Sequence, residues 1–506
     1  MKKLIHKFCK LEITPHANDF FLLGAVFTFS LLRIPSLIEP EWYGDEGIYQ
    51  VIGMALQNGS LLYRDIWDNK PPLLYVYYAL VNGDLFAIKF LSLLFGIAAV
   101  VTFFFLAKKL FQNNKFSVYI STGIFVYLFG SPVLEGNVAN AENFILFPIL
   151  LAFLLVTRLT SRSHSILSVS IGFILSIAFL TKIVAIFDLG TILVVLFCLR
   201  FYNKKIMDSR HHIIANPREF LKTMKQESLI LIAFVVPVLL TWLFFIVNGA
   251  SNEFLSAAFS NNIGYVGWKN HFVLQLGAFK VSVPQGLLLF KIVLLLVGVF
   301  LIIAYRRLFS VSSLIIYTWL VFSIFNTFFS GRPYTHYLLT LVPAFCLLVG
   351  LLFISARKKI VFHVAALIFV VLLVRGSFDY YEKVVAYYQN YHAFVMGTKK
   401  VSDYQRFFDQ DTPKNYVIAE FIKDNTDKQD NVFLVSNSST IYFMAGKLPP
   451  GRYIVGYHIE GYKDAIDETK KAVLEKQPKY IISTNDDLAS DFIDNYELQY
   501  ILHNVK

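Results

Sequence analysis

Long apolar runs of about fifteen to twenty residues recur along this chain, separated by short polar or charged stretches. A helix rises about 1.5 Å per residue, so runs of this length approach what is needed to cross a hydrocarbon core of about 30 Å. The runs are Phe20–Ile38, Phe86–Ala107, Phe116–Gly130, Phe144–Thr157, Ser165–Thr181, Ile183–Leu199, Leu229–Val247, Gly286–Ala304, Val311–Phe329, Tyr337–Ile354 and Val361–Val374. They predict a polytopic α-helical membrane protein of about eleven spans, some of them short. The first run is too long for the apolar core of a secretory signal and no small-residue cleavage site follows it, so no cleavable leader is expected.

After Arg375 the pattern changes to mixed charges with short apolar segments. "NVFLVS" (Asn431–Ser436) and "KYIIST" (Lys479–Thr484) read as short buried strands. Tyr462–Lys476 has helical spacing with acids early and lysines late. "DTPKNYVIAEFIKDN" predicts another helix, with Thr412 as N-cap and Pro413 in first position. The division expected is a membrane region 1–374, a tyrosine-rich linker 375–403, and a small α/β domain 404–506.

Composition agrees: 56% of residues are hydrophobic and 16% charged, with a mean hydropathy of +0.56. The net charge of +11 first suggests nucleic acid, but its placement points elsewhere. Lys2, Lys3, Lys7 and Lys10 precede the first run, Lys108, Lys109 and Lys115 follow the second, and Arg158 and Arg162 the fourth. Arg200, Lys204, Lys205, Arg210, Arg218, Lys222 and Lys225 follow the sixth, Arg306 and Arg307 the eighth, and Arg357, Lys358 and Lys359 the tenth. With the N-terminus in the cytoplasm, all of these fall on one side, as the positive-inside rule requires. The opposite loops carry Glu39, Glu41, Asp45, Glu46, Asp65, Asp68, Glu135 and Glu253. The basicity is topological, nucleic acid is not an expected partner, and the C-terminus is expected outside. Cys9 is placed in the cytoplasm and Cys198 and Cys346 in spans, so no disulfide framework is available outside.

Three exterior segments stand out. The first loop, 39–84, has Ile48, Val51, Ile52 and Ala55 at helical spacing, which predicts a helix lying on the membrane surface. The loop Asn248–Gln285 is aromatic and amide-rich, and "SGRPYTHY" (Ser330–Tyr337) is short.

Each candidate residue has two readings. Asp45 and Glu46 in "YGDEGIYQ" are acids ordinary for such a loop, Asp45 capping the helix, or a carboxylate that accepts a proton from an acceptor hydroxyl. Lys70 in "NKPP" is an exposed lysine before a proline-started helix, or a fixed cation for phosphate. Lys182 snorkels or pairs with Asp188, or faces a cavity. Arg332 and His336, beside Tyr334 and Tyr337, form an aromatic-belt turn or a phosphate contact. Glu142 is a helix N-terminal acid or a polar contact for a sugar. Asp68 and Tyr63 of "YRDIWDNKPP" join Glu142 and Tyr337 as candidates for sugar or acceptor contact. Taken together, cations beside the headgroups and acids opposite them suit transfer of a sugar from a lipid phosphate to a hydroxyl. A transporter or flippase also needs many spans and membrane-embedded charges, but its charges belong at midplane.

"GDEGIYQVIGMALQNGSLLYRDIWDNKPPLLYVY" resembles the first-loop signature of GT-C glycosyltransferases, relatives of protein O-mannosyltransferases and of the aminoarabinose transferase that modifies lipid A. "AENFILFP", "GFILSIAFLTKIVAIF", "FFIVNGASNEFLSAAFSNNIGYV", "FSGRPYTHYLLTLVPAF" and "DNVFLVSNSSTIYFMAGKLPPGRYI" follow in the family's order, over nearly the whole chain. The resemblance implies inverting transfer from a polyprenyl-phosphate sugar donor to a lipid, glycan or protein acceptor, with the site on the extracytoplasmic face of the cytoplasmic membrane. It implies Asp45 as general base with Glu46 beside it, Lys70 on the donor phosphate, Arg332, His336 and Lys182 as further phosphate contacts, and Glu142 as a recurrent polar position. No cofactor is required, although Asp45, Glu46 or Asp68 could ligate a divalent cation such as Mg or Mn. Asn69 stands where aminoarabinose transferases tend to carry an acid, with Asp68 one place earlier, which weakens any transfer of their sugar choice or metal ligation. The "WWD" signature of oligosaccharyltransferases is absent.

Overall fold

The computed structural model describes residues 17–483 and 492, apart from 113, 160–164, 201–216, 263–271, 277–278, 284–285, 356, 379–381 and 463. The N-terminal lysines, Cys9 and most of the basic loop after the sixth apolar run lie outside the described residues.

The chain enters on α1 (Ala17–Arg33), which tightens at Pro35 into a 3-10 turn, Ile34–Ile38. The first loop holds α2 (Gly44–Gln57) and α3 (Pro72–Leu80), and α4 (Leu85–Leu110) returns. Then come α5 (Lys115–Gly130), α6 (Ala141–Leu159), α7 (Ser165–Thr181), α8 (Ile186–Arg200), α9 (Pro217–Val247) and the short α10 (Ser251–Leu255). A hairpin of β1 (Phe272–Leu276) and β2 (Phe279–Val283) leads into α11 (Gly286–Ala304), α12 (Val311–Phe328), α13 (Val342–Leu351) and α14 (Arg357–Arg375). Beyond them lie α15 (Val384–Val395), α16 (Val401–Phe408), α17 (Thr412–Asn425), β3 (Val432–Val435), α18 (Thr440–Ala445), α19 (Gly456–Gly461), α20 (Ala465–Lys476) and β4 (Tyr480–Ser483).

Every apolar run falls on helix, though not always on one unbroken helix. Among the described residues six helices are long and apolar enough to cross a membrane, and four shorter apolar ones accompany them. Local chemistry sets several ends: the Asp84 carboxylate accepts from Ala87 N at 2.7 Å and the Asn114 carbonyl oxygen from Ser117 N at 3.0 Å. The tenth run is split, a 3-10 stretch Thr335–Thr340 preceding α13, with Pro343 in the first turn of α13. Between α7 and α8 the backbone of Lys182 is extended (φ −153°, ψ 122°), so the lysine sits at a helix break. At Gly172 a Cβ would stand 2.1 Å from the Ile230 carbonyl oxygen, so the absent side chain lets α7 and α9 pack closely. One large apolar core fills the bundle around Phe103, Phe125, Leu146, Phe153 and Trp319, while α9 and α11 leave Leu239, Phe244, Leu289 and Phe300 exposed.

A second core joins the first loop to the C-terminal residues: Ile48, Val51, Ile52, Tyr75 and Tyr78 share it with Phe433, Ile441, Tyr442, Ile454 and Ile482. This corrects the expectation for the first-loop helix. The apolar face of α2 is covered by protein and does not lie open to lipid, and Gly47 packs so tightly that a Cβ would meet Ser439 Oγ at 2.5 Å. The two expected strands pair in parallel, Val432 opposite Tyr480 and Val435 opposite Ser483. Two other expectations shift. α17 starts at Thr412 itself, with Asp411 before it and no side-chain cap, and the antiparallel pair β1–β2 stands in a loop read only as aromatic and amide-rich. The tyrosine-rich stretch is largely helical and tied to the end of α1, with Tyr388 donating to Leu32 O (3.1 Å), and just beyond it Tyr404 donates to Ile38 O (3.1 Å) at the end of the 3-10 turn.

Candidate active site

Asp45 and Glu46 are neighbours on a helix, and successive residues of a helix point about 100° apart. α2 starts immediately before them, so the two carboxylates enter different surroundings. Asp45 does not cap the helix; its Oδ2 accepts from Tyr49 Oη, one turn on, at 2.9 Å. Glu46 turns inward, where Oε1 accepts from Ala139 N at 2.6 Å and Oε2 lies 3.3 Å from Lys89 Nζ. The structure therefore does not place Glu46 beside Asp45 in the site.

Lys70 is fixed from its backbone outward. Its carbonyl accepts from Tyr63 Oη (2.7 Å), its N–H donates to Tyr75 Oη (3.1 Å), and Pro71 and Pro72 stiffen the next step. Tyr75 in turn donates to Asp68 Oδ2 at 2.7 Å. The ammonium stands 3.5 Å from Asp45 Oδ2 and 3.8 Å from Asp68 Oδ2, over the Tyr49 ring at 4.8 Å. Tyr63 is wholly buried, so it supports Lys70 from beneath.

A second group meets the first from the bundle side. Lys182 pairs with Glu142, not Asp188, and lies 4.7 Å from the Tyr337 ring centre. Asp188 instead accepts from Trp319 Nε1 at 2.9 Å. His336 bridges two acids, with Nδ1 3.0 Å from Glu135 Oε2 and Nε2 3.8 Å from Glu142 Oε1. Glu135 Oε2 also accepts from Tyr43 Oη at 2.8 Å, which reaches back to the residue before α2. Arg332 is half-exposed on the same turn as His336, its guanidinium 3.5 Å from Tyr334 Oη, and the Tyr334 ring stacks on His336.

The charges act on one another. Desolvation by surrounding atoms works against the Asp45 carboxylate, but Lys70, His336, the Tyr49 bond and Lys182 together hold it below the usual aspartate range. For Glu46 the balance is reversed: burial, with Glu39 adding to it, outweighs Lys89 and the Ala139 bond and pushes it up. One of the two adjacent acids is poised as an anion facing a partly open cation, and the other is absorbed into the protein. A metal does not fit the residues suggested for it. Lys70 Nζ stands against both Asp45 and Asp68, Glu46 faces Lys89, and among the described residues no three His, Cys, Asp or Glu side chains converge as a ligand set.

Sequence reasoning missed Glu135, Tyr43, Asn140 and His458. Glu135 was visible only as one more exterior acid. Asn140, which donates to Tyr43 Oη at 3.3 Å, and His458, whose Nε2 lies 3.8 Å from Asp68 Oδ1, carry no local signal at all.

Residues 65–250 match the family described as dolichyl-phosphate-mannose-protein mannosyltransferase. Among solved structures, the chain is similar to ArnT from Cupriavidus metallidurans bound to undecaprenyl phosphate, with 13% identity and a TM-score of 0.50 over 93% of this chain and 87% of that one. It is also similar to the apo oligosaccharyltransferase of Archaeoglobus fulgidus, with 11% identity and a TM-score of 0.47 over 93% and 70%. No curated protein sequence matches. At such identity the ArnT likeness shows the fold alone, a helical membrane fold like that of ArnT.

Proposed function

We propose that this protein is an inverting glycosyltransferase of the cytoplasmic membrane, moving a single sugar from a polyprenyl-phosphate donor to a hydroxyl of a lipid, cell-wall glycan or protein. The observation that carries this reading is the pairing of an ionised, partly exposed Asp45 with the fixed ammonium of Lys70. The family matched over residues 65–250 is named for a dolichyl-phosphate-linked donor, and the similar ArnT holds undecaprenyl phosphate, which supports a lipid-phosphate donor here.

In this mechanism the donor phosphate competes with Asp45 for Lys70 and so frees the carboxylate. The acceptor oxygen attacks the anomeric carbon opposite the phosphate, the carbon–phosphate-oxygen bond breaks with its electron pair, and Lys70 stabilises the charge that develops there. Asp45 takes the hydroxyl proton. A carboxylate held below its usual range is a weak base, which suits a proton that becomes acidic only as the new bond forms. Lys182 and Arg332 supply further positive charge at the mouth, and His336 adds a hydrogen-bonding ring beside them. Glu142, Asp68 and Tyr337 offer polar and aromatic surfaces to the sugar or acceptor.

Topology supports an extracytoplasmic site. α4 starts beside the first loop and ends at Lys108 and Lys109, which belong inside. The C-terminal residues share a core with that loop and therefore its side of the membrane. Eleven spans, an inside N-terminus, an outside C-terminus and a C-terminal α/β unit from about 404 complete the reading.

The test is release of polyprenyl phosphate by purified protein offered a panel of polyprenyl-phosphate sugars and a hydroxyl acceptor. Release by the wild type, none by Asp45→Asn, and an inverted anomeric configuration in the product are expected. Equal release by both proteins removes Asp45 from the chemistry. Transport of intact lipid-linked sugar across vesicles without a new glycosidic bond overturns the transferase reading.

A further inference from the structure

The bend that presents Lys70 is gripped from a second loop. After α9 the chain forms α10 and then widens into a π turn, Ser256–Ser260, with Asn261 N–H reaching back five residues to Ser256 O. Phe254 is buried against Phe245 (4.6 Å between ring centres) and Tyr63 (5.6 Å). Ala257 and Ala258 are wholly buried in the core shared with the first loop. The turn is therefore seated on that loop.

Asn262 stands at its end. The side-chain amide faces three carbonyls, Asn69 O and Ala258 O at 2.8 Å and Ala257 O at 3.4 Å, so its NH2 group and not its oxygen points there. One N–H closes its own turn on Ala258, four residues back, and the other crosses to Asn69, 193 residues away in the chain.

Asn69 O and Lys70 N belong to one peptide plane, which its partial double bond keeps rigid. Asn262 donates to the carbonyl edge of that plane, and Tyr75 Oη accepts from its N–H edge at 3.1 Å. A bond at one edge leaves such a plane free to swing; bonds at opposite edges fix it. The next plane is held by Tyr63 Oη on Lys70 O (2.7 Å), and the Tyr63 ring rests on Phe254 of α10. This matters because the ammonium is loosely paired, 3.5 Å from Asp45 and 3.8 Å from Asp68. Pairs so long and partly open hold a flexible side chain weakly, so the backbone at its root governs where the charge stands.

We infer that Asn262 is a positioning residue for the Lys70 ammonium: by fixing the Asn69–Lys70 peptide plane, it makes the segment after α9 a support for the cation between Asp45 and Asp68. Losing that bond lets the plane swing and spreads the ammonium over a wider space, which weakens its hold on a phosphate. The phosphate rests on the proposed function; the placement of Lys70 does not.

The experiment compares full-length Asn262→Leu and Asn262→Gln with wild type, using donor kinetics together with amide hydrogen exchange read by mass spectrometry. Leucine keeps the bulk and removes the donor, while glutamine keeps an NH2 group. Asn262→Leu should raise KM for the polyprenyl-phosphate sugar roughly three- to tenfold with a smaller change in kcat, and Asn262→Gln should recover part of it. Exchange in the peptide spanning 66–75 should speed up in Asn262→Leu by a similar factor and fall back toward wild type in Asn262→Gln. In a Lys70→Met background Asn262→Leu should add nothing further to KM, and additive effects would overturn the inference. So would faster exchange confined to 251–262, which is what a side chain that only closes its own turn produces, or wild-type KM and 66–75 exchange in Asn262→Leu. If wild type turns over no donor, the transferase reading fails, while the exchange of 66–75 still decides the positioning role.

Discussion

Two lysines of this chain each stand between two carboxylates, yet the two clusters are built for opposite ends. Lys89 Nζ lies 2.6 Å from Glu39 and 3.3 Å from Glu46, and all three side chains are at most 2% exposed. Glu39 also accepts from Asn137 (2.8 Å), Tyr387 (2.5 Å) and Trp42 (3.2 Å), and Glu46 from Ala139 N. The cluster joins α4, the first loop, the segment before α6 and α15, and its acids are heavily engaged. Lys70 pairs more loosely, at 3.5 and 3.8 Å, with 22% of its side chain and 33% of Asp45 exposed. A buried, tightly bonded ion cluster has little left to give a ligand and loses much if one member goes. A loosely paired, partly open one can exchange its internal partner for a substrate phosphate at small cost. Equal charge composition therefore says little; exposure and pairing distance separate scaffold from site.

The sharpest way to break this comparison is Asp45→Asn, which should cut transfer by roughly 10²–10⁴-fold while the unfolding temperature stays nearly unchanged. Turnover near wild type would dissolve the distinction. Lys89→Met should do the reverse. Leaving Glu39 and Glu46 buried without their cation should cost about 3–5 kcal/mol, read as a large fall in unfolding temperature or in folded yield. A well-folded Lys89→Met protein with normal melting would mean that the cluster is not structural. Lys70→Met should sit between them, raising donor KM about ten- to a hundredfold with little effect on melting.

The smallest effect concerns pH. Desolvation, with Glu46 adding to it and the Gln50 bond opposing, pushes Glu41 up to about 7. The folded protein then binds more protons than the unfolded chain between about pH 4.5 and 7, so this group's contribution to stability falls as pH rises through that window. Glu41→Gln should raise the unfolding temperature at pH 8 by roughly 2–4 °C relative to wild type and by less at pH 5. An equal shift at both values would show that Glu41 does not titrate there. Asp45 is lowered, so its ionisation persists below the usual aspartate range and should set no limb in the activity profile at neutral pH.

Much of this was legible in the chain. Apolar run length is a direct measure of the cost of exposing backbone to hydrocarbon, and each run duly lies on helix. Asp45 and Lys70 could be singled out because "GDEG" opens a helix and "NKPP" ends a turn, so local backbone chemistry already restricts where each side chain points. For Lys182 the only partner named from the chain was Asp188, and the structure pairs it with Glu142 instead.

The rest depended on contacts between distant segments. Sequence alone determined that the chain is a bundle of apolar helices, that the loop after its first apolar run carries a helix, and that acids and a rigid lysine sit on that loop, because periodicity, composition and proline geometry act over a few residues. Only the tertiary structure decided that Glu46 turns toward Lys89 while Asp45 meets Lys70, that Lys182 chooses Glu142, and that Glu135 and His458 join the site from elsewhere in the chain. It also decided that α2 is covered by C-terminal residues and not by lipid. Burial and pairing fix the state of a charge, and both are properties of what the whole fold brings within a few ångströms of it.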